Sequence, residues 1–168
     1  MKENILDNRK PLSNYKPLIV IITIILLASF ALEISTIEKN SMNIMRNFMG
    51  LFFTIFSMFK LFNIEGFVKG FKKYDLLSIK FNNYGYVYPY IELILGLGYL
   101  SNASPILVNS VSFIVMSASA YSVIKSIKQG LDLRCACLGT MLNVPLSTVS
   151  VIENVGMSAM SLLMLFNM

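Results

Sequence analysis

Cys135 and Cys137 are the only 2 cysteines among the 168 residues of the chain, and one alanine separates them. Two thiols this close can close a small-ring disulfide. The usual Cα separation across a disulfide is about 4.4–6.8 Å, so the ring is strained and easier to reduce. Such a pair suits exchange better than architecture. Arg134, beside the pair, favours the thiolate, which is the nucleophilic form. Gly139 lets the backbone bend sharply after it. The same two thiolates can hold a soft metal: Cu(I) accepts two sulfurs, and the 11 methionines offer weaker thioether ligands. Met157, Met160 and Met164 recur at helical spacing, although methionine is also an ordinary filler of apolar cores. A third reading is a pair of inert, buried cysteines.

Glu92, Glu153 and Lys60 are the other residues of chemical interest, because each interrupts an apolar run. An ionisable group inside a membrane span costs about 2.5–3.5 kcal/mol on insertion scales, so it usually faces protein and often marks function. One expectation is a buried network of Lys60 with Glu92 or Glu153. The alternative is that each lies near an interface and is hydrated. Glu92 is the stronger candidate, with tyrosines and apolar residues on both sides of it.

The elements that must position these residues are apolar runs. Residues 1–16 form a polar tail carrying Lys2, Arg9, Lys10 and Lys16, and Pro17 opens an uncharged stretch to Leu32. Residues 17–34 are long enough to span a bilayer, since a span takes about 20 residues. No clean small-x-small cleavage site follows, and we read this run as a retained helix. Further spans are expected over residues 48–64, 86–100, 105–124 and 148–167. Tyr84, Tyr86, Tyr88 and Tyr90 suggest an aromatic belt. Gly96 and Gly98, and the run Ser117–Ala120, suit close helix contact. Between the second and third of these five spans, residues 65–85 mix Lys69, Lys72, Lys73 and Lys80 with Phe67, Phe71, Tyr74, Leu77 and Phe81. That pattern fits an amphipathic helix lying in the interface, or a plain basic loop.

The bulk composition agrees. Hydrophobic residues make up 55% of the chain and charged residues only 14%, against roughly 25% charged in soluble domains, and the mean hydropathy is +0.66. There is no histidine, which excludes Ser-His-Asp catalysis, His-ligated zinc and His-held haem. No glycine-rich phosphate loop and no metalloprotease motif occurs. The net charge of +5 falls between the apolar runs rather than on one soluble face, so it reads as topology signal and not as a nucleic-acid footprint. With five spans, the three basic segments (the amino-terminal tail, residues 65–85 and residues 125–147) share one side, which should be cytoplasmic. That places the C-x-C loop inside. Stable disulfides belong to oxidising compartments, so a cytoplasmic pair would cycle or bind metal rather than stay oxidised.

Two segments resemble known membrane families. From Arg46 to Tyr99, the strings GLFFTIFSMFKL, GFVKGF and YIELILGLGYL are similar to the start of DoxX-type proteins. From Arg134 to Glu153, CACLGTMLNVPLSTVSVIE is similar to the C-x-C-x-G region of the methylamine-utilisation MauE family. The resemblance implies a four-helix membrane core over residues 46–168, with residues 17–34 as an added amino-terminal span. It implies a redox-associated role, such as thiol–disulfide exchange or electron delivery during maturation of a partner protein. Cys135 and Cys137 would then be the redox pair and Gly139 would shape their loop, while Lys60 and Glu92 match polar positions of the bundle. Members in heavy-metal contexts leave the Cu(I) alternative open. The expectation is therefore an all-α, polytopic helical bundle in the cell (inner) membrane. Its contacts would be the lipid bilayer and a redox or metal-handling protein partner, and its activity of thiol–disulfide oxidoreductase type.

Overall fold

The structure is a computed structural model that describes residues 12–34, 40–72, 75, 78, 83–128 and 146–167; the side chains of residues 12–15 and 146–150 are outside the description. All regular structure among these residues is helical: α1 (Leu12–Ile34), α2 (Ser41–Phe62), α3 (Ile64–Phe71), α4 (Tyr84–Leu100), α5 (Pro105–Lys128) and α6 (Leu146–Phe166). Three stretches, Lys16–Ile34, Ser41–Phe62 and Pro105–Lys128, are long and apolar enough to cross a membrane. Outward side chains along the helices, such as Leu27 on α1, Ile94 on α4, Ile114 on α5 and Leu163 on α6, are exposed and apolar. In water such a surface would aggregate; in a bilayer it is the lipid-facing side. The protein is a polytopic helical membrane bundle.

Local chemistry sets the helix ends. Asn40 caps α2 through its side chain, which accepts from the Met42 amide at 3.1 Å. The Glu33 carboxylate, at the end of α1, accepts from the Asn40 amide at 2.8 Å and from Asn43 Nδ2 at 3.3 Å. A carboxylate there satisfies orphan donors and complements the helix dipole. At Asn63 the chain leaves the helical conformation, and the Asn63 side chain accepts from the Gly66 amide at 3.0 Å to start α3. The turn between α4 and α5 is a Schellman closure, with the Ala103 amide donating to the Gly98 carbonyl at 3.1 Å and Asn102 at φ 54°.

Neighbouring helices run antiparallel. Gly50 of α2 meets Gly96 and Leu100 of α4: a Cβ on Gly96 would lie 2.5 Å from Thr54 Oγ1 and 2.8 Å from the Thr54 backbone nitrogen. Only glycine permits that approach. Polar side chains join α5 to α6. Ser117 and Ser158 hydroxyls lie 2.8 Å apart, Asn154 donates to Ser119 at 3.1 Å, and Ser161 donates to Ser112 at 3.1 Å. Tyr99 of α4 ties into the same seam by donating to Asn109 Oδ1 at 2.9 Å. Met157 and Met164 are buried in the core, with Met160 packed against it.

Two sequence expectations change in detail. The tyrosines do not form one belt: Tyr86 and Tyr90 face outward, while Tyr88 is buried and Tyr84 is packed against the core, because helical periodicity splits alternate residues between two faces. The start of the basic segment forms the eight-residue helix α3, whose apolar face does not point at lipid. Phe67, Val68 and Phe71 are buried, and the Phe67 and Phe71 rings pack on Tyr88. Tyr74, Leu77 and Phe81 lie outside the described residues.

Candidate functional site

The buried face of α2 runs through Met49, Phe53, Phe56 and Lys60, and that of α4 through Gly85, Tyr88, Glu92, Leu95 and Tyr99. These are steps of three and four residues, so each stripe keeps one side of its helix toward the other. Lys60 and Glu92 stand in phase with these stripes and therefore meet. Lys60 Nζ donates to both Glu92 oxygens at 2.5 Å. Lys60 is 2% exposed and Glu92 3%. Two rings close the pair from the sides: the ammonium lies 5.6 Å from the Phe67 centroid and 5.2 Å from that of Tyr88. The carboxylate neutralises the charge, and the ring faces add attraction that grows when water is excluded.

Further polar groups are buried close by. Asp75 is 2% exposed and accepts from the Ser78 amide at 2.7 Å; the Ser78 side chain lies 3.1 Å from where a Cβ on Gly85 would stand. The sequence reading did not single out Asp75. Its spacing from Phe67 and Phe71, at steps of four, was the available signal.

Glu153 is on α6. It precedes the buried stripe of α6 (Asn154, Met157, Ser161 and Met164) by one residue. That phase turns it toward α1 and α2, where it lines a cavity of about 310 Å³ together with Leu18, Phe48, Phe52, Phe56 and Gly156. Of the two carboxylates expected as partners for Lys60, the structure places Glu92 against it.

Cys135, Cys137, Arg134 and Gly139 lie outside the described residues, in the segment that joins α5 to α6. The helix directions still locate the ends of that segment. The carboxyl end of α5 and the amino end of α6 are at the same end of the bundle as α3, the carboxyl end of α2 and the amino end of α4. Lys60 is in the last turn of α2, so the ion pair lies toward the end from which the cysteine segment departs. Among the described residues, no three His, Cys, Asp or Glu side chains gather as a metal site; the donor set chemically suited to Cu(I) is the cysteine pair itself.

No curated protein and no solved structure matches the chain. A family model does, and its description is "Methylamine utilisation protein MauE". The match runs over residues 38–167, taking in α2 through α6, the Lys60–Glu92 pair and the cysteine segment together, and on that extent the chain belongs to the MauE family of membrane proteins.

Proposed function

We propose that this protein is a membrane thiol–disulfide exchange protein working through Cys135 and Cys137. The observation that carries the reading is that the chain's only two thiols stand one residue apart, between Arg134 and Gly139, inside the region that the MauE family covers. In the exchange, a partner thiolate attacks one sulfur of the Cys135–Cys137 disulfide, forming a mixed disulfide and releasing the other cysteine as a thiol. A second partner thiol then attacks the mixed disulfide and frees the remaining cysteine. Two electrons and two protons pass from the partner to the pair, and the partner gains a disulfide. The reverse sequence reduces a partner. Lys60 and Glu92 serve as the fixed point of the helices at that end of the bundle.

The membrane arrangement that goes with this proposal has five spans, α1, α2, α4, α5 and α6. The basic segments, Lys125 and Lys128 at the end of α5 among them, lie on the cytoplasmic side of the inner membrane. The partner is a protein with exchangeable cysteines.

Mass-shift alkylation in cells is the test. Wild-type protein should show reduced and oxidised fractions that shift with the ambient thiol potential, and Cys135→Ser/Cys137→Ser should show none. A pair that stays reduced across the biological range sinks the exchange reading. The second reading, Cu(I) or soft-metal handling by the same thiolates, predicts near-stoichiometric metal on the purified protein that disappears in the same double variant.

A further inference from the structure

We infer that Arg46, together with the amino end of α5, forms a binding site for a phosphate oxyanion at the end of the bundle opposite the Lys60–Glu92 pair. Arg46 is the sixth residue of α2, whereas Lys60 is in its last turn. The Arg46 Nε atom is buried and has no hydrogen-bond partner. A guanidinium is always charged in proteins and carries its N–H donors in a fixed planar fork. Such a charge within a span is costly unless an opposite charge meets it. The described residues offer Arg46 no ion pair. Glu33, the carboxylate at the end of α1, is turned instead to the Asn40 amide and the Asn43 side chain.

Arg46 lines a small cavity with Tyr99, Asn102, Pro105, Asn109 and Met164. Its volume, about 10 Å³, is room for roughly one oxygen atom. Two of the polar neighbours are already engaged. Tyr99 donates to Asn109 Oδ1 at 2.9 Å, and Asn109 Nδ2 donates to the Pro105 carbonyl at 2.9 Å. The buried Nε is the donor left over. One oxygen of an anion fits the space and accepts from it. A water molecule would satisfy the same atom but leave the charge without a counter-ion.

The amino end of α5 supplies further donors. Ser104 stands at φ 41°, away from the extended backbone of a usual N-cap. The first amide to find an acceptor is that of Val108, which donates to the Ser104 carbonyl at 3.1 Å. Among the described residues nothing accepts from the Ile106 and Leu107 amides. Open amides at a helix start draw anions through hydrogen bonding and through the positive end of the helix dipole. Asn102, at φ 54° and exposed at the rim, adds a side-chain amide. The arginine fork matches phosphate geometry, and the level at which membrane helices end is a layer of phosphates. A phospholipid headgroup and free phosphate present the same oxygens to these donors.

The test reads the Nε–Hε magnetic resonance signal of Arg46 in nitrogen-labelled, full-length protein in maltoside micelles. The chain has three arginines, Arg9, Arg46 and Arg134, so Arg46→Lys identifies the signal by its loss. Titration with dioleoyl phosphatidylglycerol should move that signal saturably. Dioleoyl glycerol, with the same tails and no phosphate, should leave it in place. Inorganic phosphate is the second arm. A shift with the lipid alone makes the headgroup the ligand, a shift with phosphate alone makes the ligand soluble, and a shift with both shows that the phosphate itself is recognised. Asn102→Asp keeps a residue that tolerates the left-handed conformation and sets a negative charge at the rim, so the midpoint should rise about tenfold. Lys125→Gln/Lys128→Gln, at the other end of the bundle, should titrate within about twofold of wild type. No shift with either phosphate source overturns the site. So does an equal shift with dioleoyl glycerol, an unchanged midpoint in Asn102→Asp, or a shift lost in Lys125→Gln/Lys128→Gln.

Discussion

Removing the acid from the Lys60–Glu92 pair gives the sharpest stability test. In Glu92→Gln, the Lys60 ammonium keeps its place between Phe67 and Tyr88 but loses a double carboxylate contact at 2.5 Å, at a position 2% exposed to solvent. Breaking a buried pair by one partner costs about 3–5 kcal/mol, because the survivor stays buried and uncompensated. The two ring contacts persist in this variant, so the lower value applies, about 3 kcal/mol. Lys60→Met removes the ring attraction as well and strands the carboxylate, so about 5 kcal/mol is expected. In Lys60→Met/Glu92→Gln no charge remains, and the methionine fills the stem's volume. That variant should return to within roughly 1 kcal/mol of wild type. Thermal unfolding in mild detergent, followed by helical circular dichroism, reads all three. At about 2–4 °C per kcal/mol, Glu92→Gln should melt roughly 6–12 °C lower. The reasoning is refuted if both single variants stay within about 1 kcal/mol of wild type, or if the double variant shows the sum of the two losses.

Three further outcomes are expected. Gly96→Ala should separate α2 from α4, because its methyl would stand 2.8 Å from the Thr54 backbone, and a loss of about 1–3 kcal/mol should appear in the same melting assay. Ser161→Ala breaks contacts to Ser112 and Tyr99 in the α5–α6 seam, at 3.1 Å and 3.3 Å, and should cost about 0.6–1.7 kcal/mol by detergent titration. An impermeant maleimide should label Cys135 and Cys137 only after cells are permeabilised; labelling of intact cells would reverse the proposed orientation.

The helical bundle could be read from the sequence because uncharged runs near span length have few alternatives. The pairing of Lys60 was only half legible. Sequence narrowed it to two carboxylates, and the choice depended on tertiary position: Glu92 shares a face with Tyr88 and Tyr99 on α4, the helix packed against α2, whereas Glu153 lies on α6 and lines a cavity with Met157. The α2–α4 approach was visible in part, since Gly96 stood out, but its counterpart Gly50 did not, being one small residue in a phenylalanine-rich run. The inward face of α3 was missed for a different reason. An amphipathic helix has the same periodicity whether its apolar side meets lipid or protein, and only the tertiary position of Tyr88 decides between them.

The buried ion pair also constrains how the protein is made. Lys60 emerges from the ribosome well before Glu92, with α3 between them in the chain. Until α4 arrives, α2 must carry an uncompensated cation close to its end, where the long side chain can still reach water. Once α4 docks, that escape closes and the ammonium is committed to Glu92. The two helices are therefore expected to leave the insertion machinery as a matched pair, and a chain truncated between Phe71 and Tyr84 should be a substrate for membrane proteolysis rather than a stable fragment.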